Sequence, residues 1–173
     1  MMKLKTKQKI ADSLHDFRLP RYQEIPDVGL YLDQVAKFIS EYLAPLEESC
    51  LTPSMVSNYV KKGLIDNPVK KQYGREQIAY LFFIAVAKTV LSLDALTGFI
   101  KLQQKTYPLP KAYDYFCDQL ESLLFFTFEI SDSLEMCGED NTDEKRLLFT
   151  CIVAAVQKVY LEKCLDAIAK EDN

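Results

Sequence analysis

Apolar residues recur at steps of three and four over most of this chain, so the sequence predicts helices almost throughout. Residues 3–17 carry a sparse set (Leu4, Ile10, Leu14, Phe17) and predict a short helix or arm. Leu19-Pro20 and Ile25-Pro26 bracket an extended stretch, because a residue before proline avoids the helical region. From near Asp27, the positions Leu32, Val35, Ala36, Phe38, Ile39, Tyr42 and Leu43 predict a helix ending at Ala44-Pro45. A short helix opens at Thr52 as N-cap, with Pro53 at its first position, and closes at Gly63.

The pattern continues from Arg75 to Leu91, with Ile78, Leu81, Phe82, Ala85, Val86 and Val90 on a broad apolar face. Ser92 caps a further helix, which Pro108 and Pro110 interrupt. A long helix is expected from about Pro110 to Cys137, with Gly138 as its end. Asn141 and Glu144 have capping-box spacing for a last helix that runs to near Lys170. The only strand candidates lie around Ile65 and around Lys71–Tyr73. The proline break divides the chain into residues 1–107 and 108–173, the second a C-terminal helical pair.

Charge changes this picture, because the net charge of −4 is unevenly spread. Residues 1–51 sum to −1, 52–75 to +4, 76–111 to +2 and 112–173 to −9. An acidic surface repels phosphate, so a nucleic acid is expected to dock on the middle only. The bland alternative is a set of solvated helix faces of unequal charge. Hydrophobic residues make up 49% of the chain, enough for a core. Five cysteines without CxxC spacing read as small thiols, with Cys117, Cys151 and Cys164 buried on helices. The basic N-terminus is followed by no apolar signal segment, and the apolar run Leu147–Leu161 is short and interrupted. A cytoplasmic protein without a membrane span is expected.

Within the basic stretch, Met55, Val56, Tyr59 and Val60 share one side of the short helix and are expected to pack inward. Ser54, Ser57, Asn58, Lys61 and Lys62 fall on the other side. Short polar side chains can approach base edges, asparagine can bond adenine through two atoms, and lysine suits phosphate. Lys70, Lys71 and Arg75 extend the backbone contacts from the following loop. The candidate DNA-contacting set is therefore Thr52, Ser54, Ser57, Asn58, Tyr59, Lys61, Lys62, Lys70, Lys71, Tyr73 and Arg75.

Tyr59, Gly63-Leu64-Ile65, Pro68, Lys70-Lys71, Tyr73 and Ser92-Leu93 with Leu96 resemble the MerR-type winged helix-turn-helix over residues 52–100. Ser57 stands where that family carries an arginine, and the wing is several residues short. Over most of the chain, Pro26-Asp27, Tyr31-Leu32-Asp33-Gln34, Leu51-Thr52, Asn58-Tyr59-Val60-Lys61 and Lys70-Lys71-Gln72-Tyr73 resemble the bacterial domain of unknown function 1836 family. The resemblance implies an all-α fold with a short β wing, double-stranded DNA as partner, and a homodimer through the C-terminal helices. A small-molecule effector would belong to the same scheme.

Aromatic residues crowd Tyr113–Phe128, which suits either a dimer interface or the chain's own core. His15 is the only histidine, and no GxxxxGK[ST], GxGxxG or HExxH spacing occurs, so neither an enzyme nor a cofactor is expected. The acids Glu139, Asp140, Asp143 and Glu144 lack the alternation of a calcium loop and read as helix-dipole partners. A second function stays open: a protein-interaction or small-ligand module on a helix-turn-helix scaffold without DNA binding.

Overall fold

The computed structural model describes residues 2–47, 50–136, 138 and 140–171. Among these the chain forms seven α-helices and one small antiparallel sheet. The helices are α1 (Leu4–Leu14), α2 (Leu32–Leu43), α3 (Pro53–Lys61), α4 (Arg75–Ala87), α5 (Leu93–Thr106), α6 (Leu109–Thr127) and α7 (Asp143–Glu171). Strand β1 (Leu30–Tyr31) pairs with β2 (Gln72–Tyr73), Leu30 opposite Tyr73 and Tyr31 opposite Gln72.

Helix α4 occupies the centre because its sequence is apolar on nearly every side. Ile78, Ala79, Leu81, Phe82, Ile84, Ala85, Val86 and Ala87 are all buried. The Phe82 ring meets Phe38 and Tyr42 of α2 edge-on, each at 5.9 Å between centroids, and Tyr113 of α6 at 6.2 Å. One hydrophobic cluster therefore runs through the expected boundary at residue 107, from Leu14 to Val159.

Most of the aromatic run in α6 serves that cluster. Tyr113, Phe116, Leu120, Leu123 and Leu124 are buried, Phe125 packs against the core, and Phe126 stays exposed. Helices α6 and α7 run side by side in the same direction. Lys145 sits over the Tyr115 ring near both starts, and Phe128 meets Tyr160 further along, at 5.3 Å.

Several element ends differ from the sequence expectation. Helix α2 begins at Leu32 rather than near Asp27, because Leu30 and Tyr31 are held extended by their pairing with β2. No strand forms at Ile65, which is buried instead. Helix α6 stops ten residues before Cys137. Glu129 turns the chain with a φ of 58°, and the Ile130 amide bonds back to the Phe125 carbonyl at 2.8 Å. The chain then returns along α6, where Gln119 donates to the Glu135 carbonyl and the Glu135 amide to Ser122 Oγ. That return is what allows α7 to lie parallel to α6. The last helix takes Thr142, not Asn141, as cap: Thr142 Oγ1 accepts from the Lys145 amide at 3.3 Å. Gly138 keeps a left-handed φ of 79°, while the expectations for Cys137 and Glu139 lie outside the described residues.

An extended arm ties the N-terminal region to α6. Arg21 forms two bonds of 2.7 Å to the Glu121 carboxylate and an ion pair with Asp118, also at 2.7 Å. Glu121 also accepts the Leu19 amide, and the Tyr113 hydroxyl donates to the Pro20 carbonyl. The carboxylates hold the Arg21 guanidinium firmly protonated, its bond to Glu121 being the largest cause.

Candidate nucleic-acid interface

Helix α3 is set by its two ends. The Met55 amide donates to Thr52 Oγ1 at 3.2 Å, and Pro53 occupies the first turn. At the other end Gly63 adopts a φ of 75°, the Leu64 amide bonds the Tyr59 carbonyl, and the Gly63 amide bonds that of Val60. This double closure needs the left-handed residue, and it swings Leu64 and Ile65 into the core. The turn between α2 and α3 is fixed by Ser40, whose hydroxyl both donates to the Leu51 carbonyl and accepts its amide, at 3.1 Å each.

The helix is split by face. Val56 and Tyr59 are buried, whereas Ser54, Ser57, Asn58, Lys61 and Lys62 are exposed. Ser54, Ser57, Asn58 and Lys61 follow the spacing of one continuous stripe. Met55, expected to pack inward, is 38% exposed. It falls beside the stripe because the buried face is only wide enough for Val56 and Tyr59.

The basic loop is a tight hairpin. Val69 and Gln72 exchange two backbone hydrogen bonds, at 3.0 and 2.9 Å, around Lys70 and Lys71. Both lysines have positive φ, 50° and 65°, the geometry of a type I′ turn that normally takes Asn-Gly. Two non-glycine residues held left-handed cost about 1–2 kcal/mol each. The result is a tip with two exposed ammonium groups. Gly29 lets this hairpin close on β1, since a Cβ there would lie 2.6 Å from Gln72 Cβ. Gln77 locks its base, accepting from the Gly74 amide and donating to the Asp66 carbonyl. Both α3 and the sheet pack on α2, which brings helix and hairpin onto one support.

Three of the sequence candidates have structural positions. Tyr59 and Tyr73 are each 4% exposed core residues, and burial raises both phenols above their usual range. Arg75 points back into the fold. Its Nε donates to the Ile25 carbonyl, Nη1 donates to Gln23, Asp27 lies at 3.9 Å, and Tyr22 offers its ring face. Lys61, Lys62, Lys70 and Lys71 have no ion-pair partner among the described residues, and Thr52 is an exposed cap. Sequence reasoning missed a neighbouring apolar patch. Val69, Gln72 and Tyr31 sit opposite one another across the sheet, with Val69 74% and Tyr31 54% exposed. A two-residue strand carries no periodicity that could have revealed it.

Among the described residues no group of His, Cys, Asp and Glu side chains is placed to hold a metal ion. Among them no helix is long and apolar enough to cross a membrane. Compared with known proteins, the chain matches no curated protein and no solved structure. A family model described as a domain of unknown function (DUF1836) matches residues 20–116, from the extended arm to the first half of α6. That span is more than half of the chain and contains α2, α3, the hairpin and the central helix, so the protein belongs to the DUF1836 family.

Proposed function

We propose that this protein is a sequence-specific transcriptional regulator of the cytoplasm, with a winged helix-turn-helix of the MerR kind, that binds double-stranded DNA as a homodimer. The observation that carries the reading is the set of four exposed lysines without ion-pair partners among the described residues, two ending α3 and two on a strained hairpin tip. Helix α3 enters the major groove. Ser54, Ser57 and Asn58 face base edges, with Asn58 suited to adenine. Lys61, Lys62, Lys70 and Lys71 hold phosphates and set register. Tyr59, Tyr73 and Arg75 support this surface from beneath. No catalytic step is assigned.

The dimer rests on α7. Its buried face carries Cys151, Ile152, Ala155, Val156 and Val159. Its outer face carries Leu147, Thr150, Ala154, Gln157, Leu161, Cys164 and Ile168, at alternating steps of three and four. Leu147, Leu161 and Ile168 are 50%, 58% and 40% exposed, and Leu165 beside them 63%. A seven-residue apolar repeat facing solvent suits a second copy of the same helix.

Gel retardation of genomic DNA fragments tests the DNA reading. Reversing Lys61, Lys62, Lys70 and Lys71 to glutamate abolishes retardation; a quadruple variant that binds as the parent does overturns it. The exposed Tyr31 and Val69 favour a second reading, a protein-docking module that keeps the scaffold without DNA binding. That reading requires that no duplex be bound with salt-sensitive affinity.

A further inference from the structure

Glu47 directly follows the short 3-10 turn Ala44–Leu46 after α2, and it holds a φ of 56° with a ψ of −76°. That combination lies outside the left-handed helical region that some non-glycine residues tolerate, and it costs a glutamate free energy. What holds it there comes from the last helix of the chain. Lys163 Nζ of α7 donates to Glu47 Oε1 at 2.8 Å, while the Glu47 amide donates to the Ala44 carbonyl at 3.1 Å.

The two partners are unequally placed. The Lys163 side chain is 10% exposed and that of Glu47 62%. The Lys163 ammonium has no other polar partner among the described residues. A covered ammonium with one carboxylate in reach holds it firmly, because losing the pair leaves its charge poorly hydrated. The freed carboxylate would be hydrated, and its backbone would relax. Strain at Glu47 thus favours opening, and the covered Lys163 favours closure.

The place of the pair in the fold gives it leverage. Glu47 stands five residues before the Thr52 cap of α3, inside the span that the family model matches, and Lys163 lies outside that span. Ser40 holds the Leu51 end of the same connection. Leu161 and Leu165, two residues to either side of Lys163, are 58% and 63% exposed, so a partner covering the outer face of α7 acts where the lysine is rooted. We infer that Lys163 and Glu47 form a strained latch through which a displacement of α7 reaches the start of α3. The latch operates within one chain, so it holds whether or not the protein binds DNA.

Hydrogen exchange of the full chain, read by NMR without DNA, tests it at three amides. Glu47 bonds the Ala44 carbonyl, Leu51 bonds Ser40 Oγ, and Val56 bonds the Thr52 carbonyl. Lys163→Met keeps an apolar stem under α7 and leaves the exposed carboxylate to water. It speeds exchange at all three amides at least about fivefold, while the amides of α4 stay unchanged. Adding Glu47→Gly to Lys163→Met returns Leu51 and Val56 to within about twofold of the parent, because glycine takes the positive φ without a partner. Exchange at Val56 that Lys163→Met leaves unaltered overturns the proposal, and so does an acceleration that the glycine fails to reverse. Should Lys163→Met not fold, Glu47→Ala and Glu47→Gly decide. Both lack the carboxylate, but only alanine keeps the backbone penalty, so faster exchange at Leu51 and Val56 in the alanine variant supports the latch and equal exchange in the two refutes it.

Discussion

Around α3 and its hairpin, solvent meets lysines, two of them on backbone that lysine disfavours. Along the outer face of α7, solvent meets leucine and isoleucine at a seven-residue repeat. The first surface is short, basic and locked by Gln77, Gly29 and Gly63. The second is 29 residues of helix in the acidic third of the chain. Each breaks an ordinary rule, one of backbone conformation and one of burial. Broken rules of these two sorts point to different partners: a polyanion for strained cations, an apolar helix for exposed aliphatics. One core joins them, and Lys163 of α7 reaches the turn after α2 through a 2.8 Å ion pair with Glu47.

The widest separation between the surfaces comes from α7. Replacing Leu161 and Leu165 together by glutamate puts like charges into the proposed seam and raises the dissociation constant of the proposed dimer at least about a hundredfold. Sedimentation equilibrium reads this, and the thermal unfolding of the monomer stays unchanged because both positions face solvent. Glu121→Ala does the opposite. It leaves Arg21 half-buried without its bidentate partner and lowers folding stability by about 2–3 kcal/mol in urea unfolding. It weakens both surfaces only through the unfolded fraction.

The hairpin gives a smaller effect of opposing signs. Lys70→Asn with Lys71→Gly suits the type I′ turn and stabilises the fold by about 1 kcal/mol, while DNA affinity falls. A variant that gains stability and keeps full affinity would mean the strain serves something other than phosphate. The least perturbing probe is thiol chemistry. Cys50 is exposed, whereas burial pushes the Cys151 thiol up to about 11 and Cys117 higher still. At neutral pH a disulfide reagent therefore modifies Cys50 first and reaches Cys117 and Cys151 only on unfolding.

What the sequence made legible was local chemistry. Thr52-Pro53, Gly63 and Ser92 fix helix ends within four residues of themselves, and all three do so in the structure. The end of α6 was illegible because Glu129, not a glycine, takes the left-handed position, and a long apolar pattern runs on past it. Strand β1 was hidden inside the α2 pattern, since its only reason to be extended is Gln72-Tyr73, some forty residues away. The exposed polar stripe of α3 followed from its periodicity. The inward turn of Arg75 did not, because Ile25, Gln23, Asp27 and Tyr22 reach it through tertiary folding alone.

The central claim is that Lys61, Lys62, Lys70 and Lys71 meet phosphate. The dependence of DNA affinity on salt tests it most directly. A dimer using four lysines from each copy gives log K against log salt a slope of about −7, and each lysine replaced by glutamine makes it shallower by about 2. A slope near zero, or one that the four replacements leave unchanged, contradicts the account.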